Sequence, residues 1–270
     1  MRKPLRFRTK KKRVSFLRLR FFWCVIGVFF ALTSLFYIVV FSPFLKIEKI
    51  EIQGVREIAL EHILSVSKDY LWQTFLGIPQ NSILLFDMKG FKEELIFTFP
   101  AISSVTLKRS LPQTLIVKIQ EREQIGTWCP FEKIDEEVVC FAIDAKGIPF
   151  KKSEKESEYI LFSSKGEVKL GKELLNPLLL FTLLDFKEGS EKIGESFLFS
   201  IIAFTIGERG EIQGITKEGW NILLDIKEDM GWQQIKLQIV LEQKIPLEKR
   251  GELEYIDLRF GDQAYIKYFD

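Results

Sequence analysis

Phe21 to Phe41 (FFWCVIGVFFALTSLFYIVVF) is a run of 21 residues without one charge, and it constrains the chain more than any other feature. At about 1.5 Å of rise per residue, a helix of that length crosses the roughly 30 Å of hydrocarbon in a bilayer. A core helix of a soluble domain needs a polar face, and this run has none. It is therefore read as a transmembrane helix, 21–41, with Trp23 and Tyr37 placed for an interfacial belt. A secretory signal has a shorter apolar region, about 7–15 residues, and a small-x-small cleavage site. Phe41-Ser42-Pro43-Phe44-Leu45 offers neither, so the expectation is an uncleaved anchor.

Residues 1–20 hold ten Lys and Arg and no acid. The whole chain has a net charge of +2, so everything beyond Phe41 carries a net −8. By the positive-inside rule the arm is cytoplasmic and the 229 residues after Phe41 lie on the outer face. Such an arm also suits anionic lipid or nucleic acid. Topology alone accounts for the charge, and no nucleic-acid partner is expected.

The outer part opens with an extended run that alternates from Ile50 and stops at Gly54. Ile58–Val66 follows as a short helix with Leu60, Ile63 and Leu64 on one face. A second helix begins after Asp87, an N-cap residue type, with Met88, Phe91 and Leu95 inward. It stops before Pro100. Strands follow at Ile102–Lys108 and Thr114–Glu121, turning around Leu111-Pro112-Gln113. Strand, helix, helix, strand, strand in about 75 residues describes a small α+β module.

From Gln124 the pattern changes to many short strands. Ile125–Phe131 and Val138–Ile143 flank a polar turn. Glu173–Phe186 reads as an apolar helix that tolerates Pro177 only in its first turn. Phe197–Ile206, Glu211–Thr216 and Trp220–Ile226 read as strands. Met230–Glu242 is a helix with Trp232, Ile235 and Ile239 on its apolar face. Leu253–Phe260 and Ala264–Phe269, separated by Gly261-Asp262-Gln263, close the chain. The fold class expected is α+β: one N-terminal transmembrane helix, a β-α-α-β-β domain over 46–123, and a mostly antiparallel β domain with flanking helices over 124–270.

Counting excludes several chemistries. A single His and three Cys rule out a two-His zinc site and a four-cysteine cluster. Ser65-Val66-Ser67-Lys68 satisfies S-x-x-K, yet S-D-N and K-T-G are missing. No phosphate-cradling glycine pattern occurs. His62 on a short helix reads as solvated, and Glu136-Glu137 sits in a polar turn. Trp128, Trp220 and Trp232 fall at apolar phases and read as core. No catalytic residue, metal site or cofactor is expected, although a two-carboxylate glycosidase leaves no excluding signature. Cys129 and Cys140 lie on strands expected to form a hairpin, whose cross-strand Cα separation suits a disulfide. The alternative is two buried thiols.

In order and spacing, Ile50-Glu51-Ile52-Gln53-Gly54, Pro100-Ala101-Ile102, Lys108-Arg109-Ser110-Leu111-Pro112-Gln113-Thr114-Leu115 and Glu121-Arg122-Glu123 resemble the POTRA domain of the bacterial cell-division family FtsQ/DivIB. Tyr255 to Lys267 resembles that family's closing β-segment. Residues 151–200 match nothing in it. The resemblance implies a non-enzymatic divisome scaffold at the septum of the cytoplasmic membrane. It would hold the small coiled-coil division proteins FtsB/DivIC and FtsL and help regulate septal peptidoglycan synthesis. Two other readings stay open: a POTRA-type scaffold handling polypeptides in the envelope, and an anchored cell-wall enzyme.

A terminal strand with no chain beyond it is expected to leave an unpaired edge, suited to strand addition. The resemblance places partner contacts at Phe260 and Tyr268, with Tyr265 on the same strand. Arg259 is the expected charge-assisted contact to an acidic partner. Core packing is the competing role for Phe260.

Overall fold

The computed structural model describes residues 16–72, 74–75, 78–79, 81–130, 139–153, 160–164, 168–197, 199–207 and 209–269. The polar turn with Glu136-Glu137 lies outside them. Helix α1 (Phe16–Phe41) contains the charge-free run and is long and apolar enough to cross a membrane, with none of its Arg20–Ile38 stretch buried. By contact, the chain divides into two compact units.

The first unit runs through Gln53 and takes in residues 59–91 and 106–118. After a short 3₁₀ turn at Pro43–Leu45, it contains β1 (Lys49–Gln53), α2 (Leu60–Leu71) and the two-residue strands β2 (Thr74–Phe75) and β3 (Ile78–Pro79). Helix α3 (Met88–Thr98) starts here, with the Asp87 carboxylate accepting the N–H groups of Lys89 and Gly90. β4 (Ile102–Ser110) and β5 (Thr114–Glu121) complete a three-stranded sheet of order β1-β5-β4, with β1 parallel to β5. Tyr70, Phe86 and Phe91 meet at ring-centroid distances of 5.1–5.9 Å. α2 is longer than its apolar pattern suggests, and its buried positions are Ile63 and Ser67, while Leu60 is exposed. Ser67 can sit inside because its hydroxyl donates to the Ile63 carbonyl, 2.6 Å away.

The second unit holds residues 54–58, 92–105 and 119–270. Its strands are β6 (Gly126–Pro130), β7 (Cys140–Ile143), β8 (Pro149–Ser153), β9 (Leu161–Ser164), β10 (Ile201–Ile206), β11 (Glu211–Thr216), β12 (Asn221–Asp225), β13 (Leu253–Phe260) and β14 (Gln263–Tyr268). They make one nine-stranded sheet of order β14-β13-β12-β11-β10-β9-β6-β7-β8. The β12–β13, β9–β10 and β6–β9 pairs are parallel and the other five antiparallel. Helix α4 (Pro177–Phe197) packs on β10, and α5 (Met230–Gln243) packs on β12, β13, β14 and α4. The core between helices and sheet is anchored by Trp128, Phe162, Leu183, Phe204, Trp220 and Leu237, each no more than 2% exposed.

Both helices differ from the sequence reading. α4 starts at Pro177, where the Asn176 side chain accepts the Leu178 N–H, and continues eleven residues past Phe186. Its buried phase passes from Leu180, Leu183 and Phe186 to Ser190, so Gly189-Ser190, which look like breakers, lie inside the helix. A side chain at Gly189 would collide with Gln234 of α5. The strand expected from Phe197 begins at Ile201.

In α5 the apolar face is inverted. Gln233, Lys236, Leu237, Val240 and Leu241 are buried, while Trp232, Ile235 and Ile239 are 40%, 49% and 40% exposed. Gln233 can face inward because it exchanges hydrogen bonds with the Asp225 backbone, 2.8 and 3.1 Å.

Candidate functional site

The C-terminal hairpin forms one edge of the nine-stranded sheet. β14 pairs only with β13 among the described strands. Along β14, Ala264, Ile266 and Tyr268 pack against the core, and Tyr265, Lys267 and Phe269 alternate to the exposed face.

Strict alternation from Ile256 and Leu258, both fully buried, would put Phe260 in the core as well. A register shift between Asp257 and Phe260 intervenes. Asp257 pairs with Tyr265 and Phe260 with Gln263, so Leu258 and Arg259 stand opposite Ala264 alone, as in a β-bulge. The extra residue turns Phe260 to the other face, where it is 51% exposed and meets Tyr265 edge-on, with centroids 5.3 Å apart. Gly261 completes the turn at φ +43°, a conformation that favours glycine.

The bulge is held by charge. The buried Asp257 carboxylate accepts the Arg259 N–H at 3.1 Å and its guanidinium Nε and Nη2 at 2.8 and 2.6 Å. These bonds to Asp257 hold the Arg259 pKa above its ordinary value, against an opposing contribution from burial. The guanidinium carbon also lies 5.7 Å from the Phe260 ring centroid. Arg259 is thus bonded to Asp257 within its own hairpin and lies over the Phe260 ring. Below the hairpin, Lys236 of α5, 5% exposed, donates through Nζ to the carbonyls of Leu258 and Gly261, both at 2.6 Å. No sequence signal marked Lys236, because a lysine in a helix reads as solvent-facing.

The residues that carried the resemblance have local structural tasks. Gly54 has φ +88°, and a Cβ there would collide with the Ile119 carbonyl. The Glu121 carboxylate accepts the successive N–H groups of Arg56, Glu57 and Ile58 at 2.9–3.2 Å. Arg122 donates to Asp144 and to the Pro100 carbonyl, with both members of the ion pair under 10% exposed. Residues 45–122 match the family model of the POTRA domain, FtsQ-type.

The chain carries an FtsQ-type POTRA domain. Together with the apolar N-terminal helix, this supports the FtsQ/DivIB-like family, a family of cell-division scaffolds. No curated protein matches the chain. Within the POTRA domain Ser65 and Lys68 share α2, and the Ser65 hydroxyl donates to the His62 carbonyl at 2.8 Å. His62 is exposed on the same helix. Among the described residues no cluster of three or more His, Cys, Asp or Glu could hold a metal ion.

Trp128 and Trp220 are buried at 2% and 1%, whereas Trp232 is not. Cys129 and Cys140 lie on neighbouring antiparallel strands β6 and β7, joined as a disulfide with Cα atoms 4.4 Å apart.

Proposed function

We propose that the chain is a single-pass scaffold of the bacterial division machinery whose C-terminal hairpin captures an FtsB/DivIC-like small coiled-coil protein, alongside FtsL, by strand addition to β14. The observation that carries this reading is a hairpin at the sheet edge bearing an exposed aromatic pair, Phe260 at the end of β13 and Tyr265 on the edge strand β14, in a chain with an FtsQ-type POTRA domain. Main-chain groups along β14 would supply affinity, and the aromatic pair would supply specificity. The opposite edge is less suited to pairing: β8 is five residues long, begins with Pro149 and carries Lys151 and Lys152. The scaffold works by binding, with its basic arm in the cytoplasm and its two folded units outside, and in this way it helps regulate septal peptidoglycan synthesis.

The test is capture of the coiled-coil division proteins from the same genome by the full-length chain. Phe260→Ala and Tyr265→Ala should each weaken capture by about tenfold or more, on the order of 1.4 kcal/mol, with little change in melting temperature. Tyr268 faces the core, so Tyr268→Ala should lower the melting temperature too. A fluorescent fusion should gather at midcell, and protease added to spheroplasts should remove the folded units. A uniform envelope signal or full protection would sink the assignment.

A further inference from the structure

The chain leaves the hydrophobic helix at Phe41 and reaches the POTRA domain without a free linker. Ser42 to Leu45 separate α1 from Lys46, a stretch that spans at most about 17 Å even when fully extended. It is not extended, because Pro43–Leu45 forms a 3₁₀ turn. It is also bonded into the domain on both sides. Gln113 Nε2 donates to the Pro43 carbonyl at 3.3 Å, Ile83 N–H to the Leu45 carbonyl at 2.8 Å, and Ile47 N–H to the Asn81 carbonyl at 2.8 Å. A headgroup layer is several ångströms deep, so with α1 in the bilayer this end of the domain is held at the headgroups.

A groove of about 550 Å³ lies at that end, between β1 and α2. Its lining includes Lys46, Lys49, Lys68, Leu64, Leu71 and Trp72, with Glu48 as the one acid. Lys49 is paired with Glu51 at 2.6 Å. Lys46 and Lys68 make no ion pair with any described residue. Trp72 closes α2 as its C-cap and is 81% exposed, and Phe44, just before the groove, is 67% exposed. A large exposed indole beside these two ammonium groups matches an interface where an apolar ring sits among phosphates.

We propose that the groove between β1 and α2 binds anionic lipid headgroups of the leaflet next to α1, with Lys46 and Lys68 on the phosphates and Trp72 and Phe44 in the interface. The contact lays the POTRA domain on the membrane. It rests on α1 crossing the bilayer and is independent of which partner the hairpin captures. Each lysine near an anionic surface contributes a factor of about five in association.

The full chain is reconstituted in nanodiscs of phosphatidylcholine, with and without an equal share of phosphatidylglycerol. Co-elution with the discs reads the anchor, and amine-reactive labelling reads the groove. In the anionic discs, labelling of Lys46 and Lys68 should fall about fivefold relative to Lys227, an exposed lysine in the turn between β12 and α5. Trp72 emission, read as the difference from Trp72→Phe, should shift to the blue. Salt should reverse both effects, and Lys46→Gln with Lys68→Gln should abolish the Trp72 shift while leaving the circular dichroism unchanged. Equal labelling in both disc types overturns the proposal. So does protection of the two lysines by an extended acidic peptide in neutral discs with no effect of phosphatidylglycerol, since that makes the groove a polypeptide site. A chain that fails to enter the discs overturns the anchor and the proposal with it.

Discussion

Lys236 and Glu121 are single groups on which larger features depend. Burial pushes the Lys236 pKa down, and the charges of Glu228, Asp262 and Asp257 pull it back up. Nζ donates to two carbonyls at the hairpin's turn, those of Leu258 and Gly261. Lys236→Met keeps the stem and removes both bonds, which should cost about 1–3 kcal/mol and speed amide exchange selectively over residues 258–263. A uniform loss of stability with no local change at the turn would show that Lys236 is only a core residue. For Glu121, burial raises the pKa, but the three N–H groups of Arg56, Glu57 and Ile58, with the Arg56 charge, outweigh burial and leave the pKa below its ordinary 4.5. The unfolded chain therefore binds the proton more readily. The stabilisation is complete above pH 4.5 and disappears as pH falls through the folded-state value. Glu121→Gln should lower stability by on the order of 1 kcal/mol at neutral pH, and the gap to wild type should close in acid. A gap that does not vary with pH would contradict this account.

At the scale of elements, α5 separates what periodicity reveals from what it cannot. Trp232, Ile235 and Ile239 recur at helical spacing, yet the face turned inward carries Gln233 and Lys236 beside Leu237, Val240 and Leu241. Two apolar stripes compete on this helix, and the inward one is chosen by backbone partners on other elements, Asp225 of β12 for Gln233 and Leu258 of β13 for Lys236. Leu237→Ala should cost about 2–5 kcal/mol, and Trp232→Ala about 1 kcal/mol or less. The reverse ranking would restore the simpler reading of the helix. Phe260 shows the same limit, since its phase is changed by a bulge that Asp257 and Arg259 organise between themselves. β8 and β9 are absent from the sequence reading: β8 is a five-residue strand starting at a proline and paired with β7, and β9 is a four-residue strand between β6 and β10, which are remote in sequence. By contrast β11 and β13 were legible to the residue, because each is bounded by turn glycines and alternates or carries its own apolar run. The Cys129–Cys140 bridge closes a loop of sequence separation 11 and should contribute on the order of 2–3 kcal/mol in an oxidising compartment. Equal thiol counts in the unfolded chain with and without reductant would show that the bridge does not form there.

For the whole molecule, the order of parts was legible because each part has a different composition: a basic arm, a charge-free span, a compact module ending in Glu121-Arg122, then many short strands. The POTRA match covers residues 45–122, and the nine-stranded sheet beyond it ends in two unlike edges. One edge, β8, bears proline and lysines. At the other, β14 carries Tyr265 against Phe260 of β13, and the hairpin is held by Lys236 at Leu258 and Gly261 and by Arg259 on Asp257. That asymmetry is the basis for placing partner capture at β14. The most direct test is hydrogen exchange on the full-length chain, alone and with its FtsB/DivIC-like partner. Strand addition predicts that the outward-facing amides of β14 become protected on complex formation while those of β8 are unchanged. Protection confined to β8, α5 or the POTRA domain, with β14 exchanging as it does in the free chain, would contradict the account.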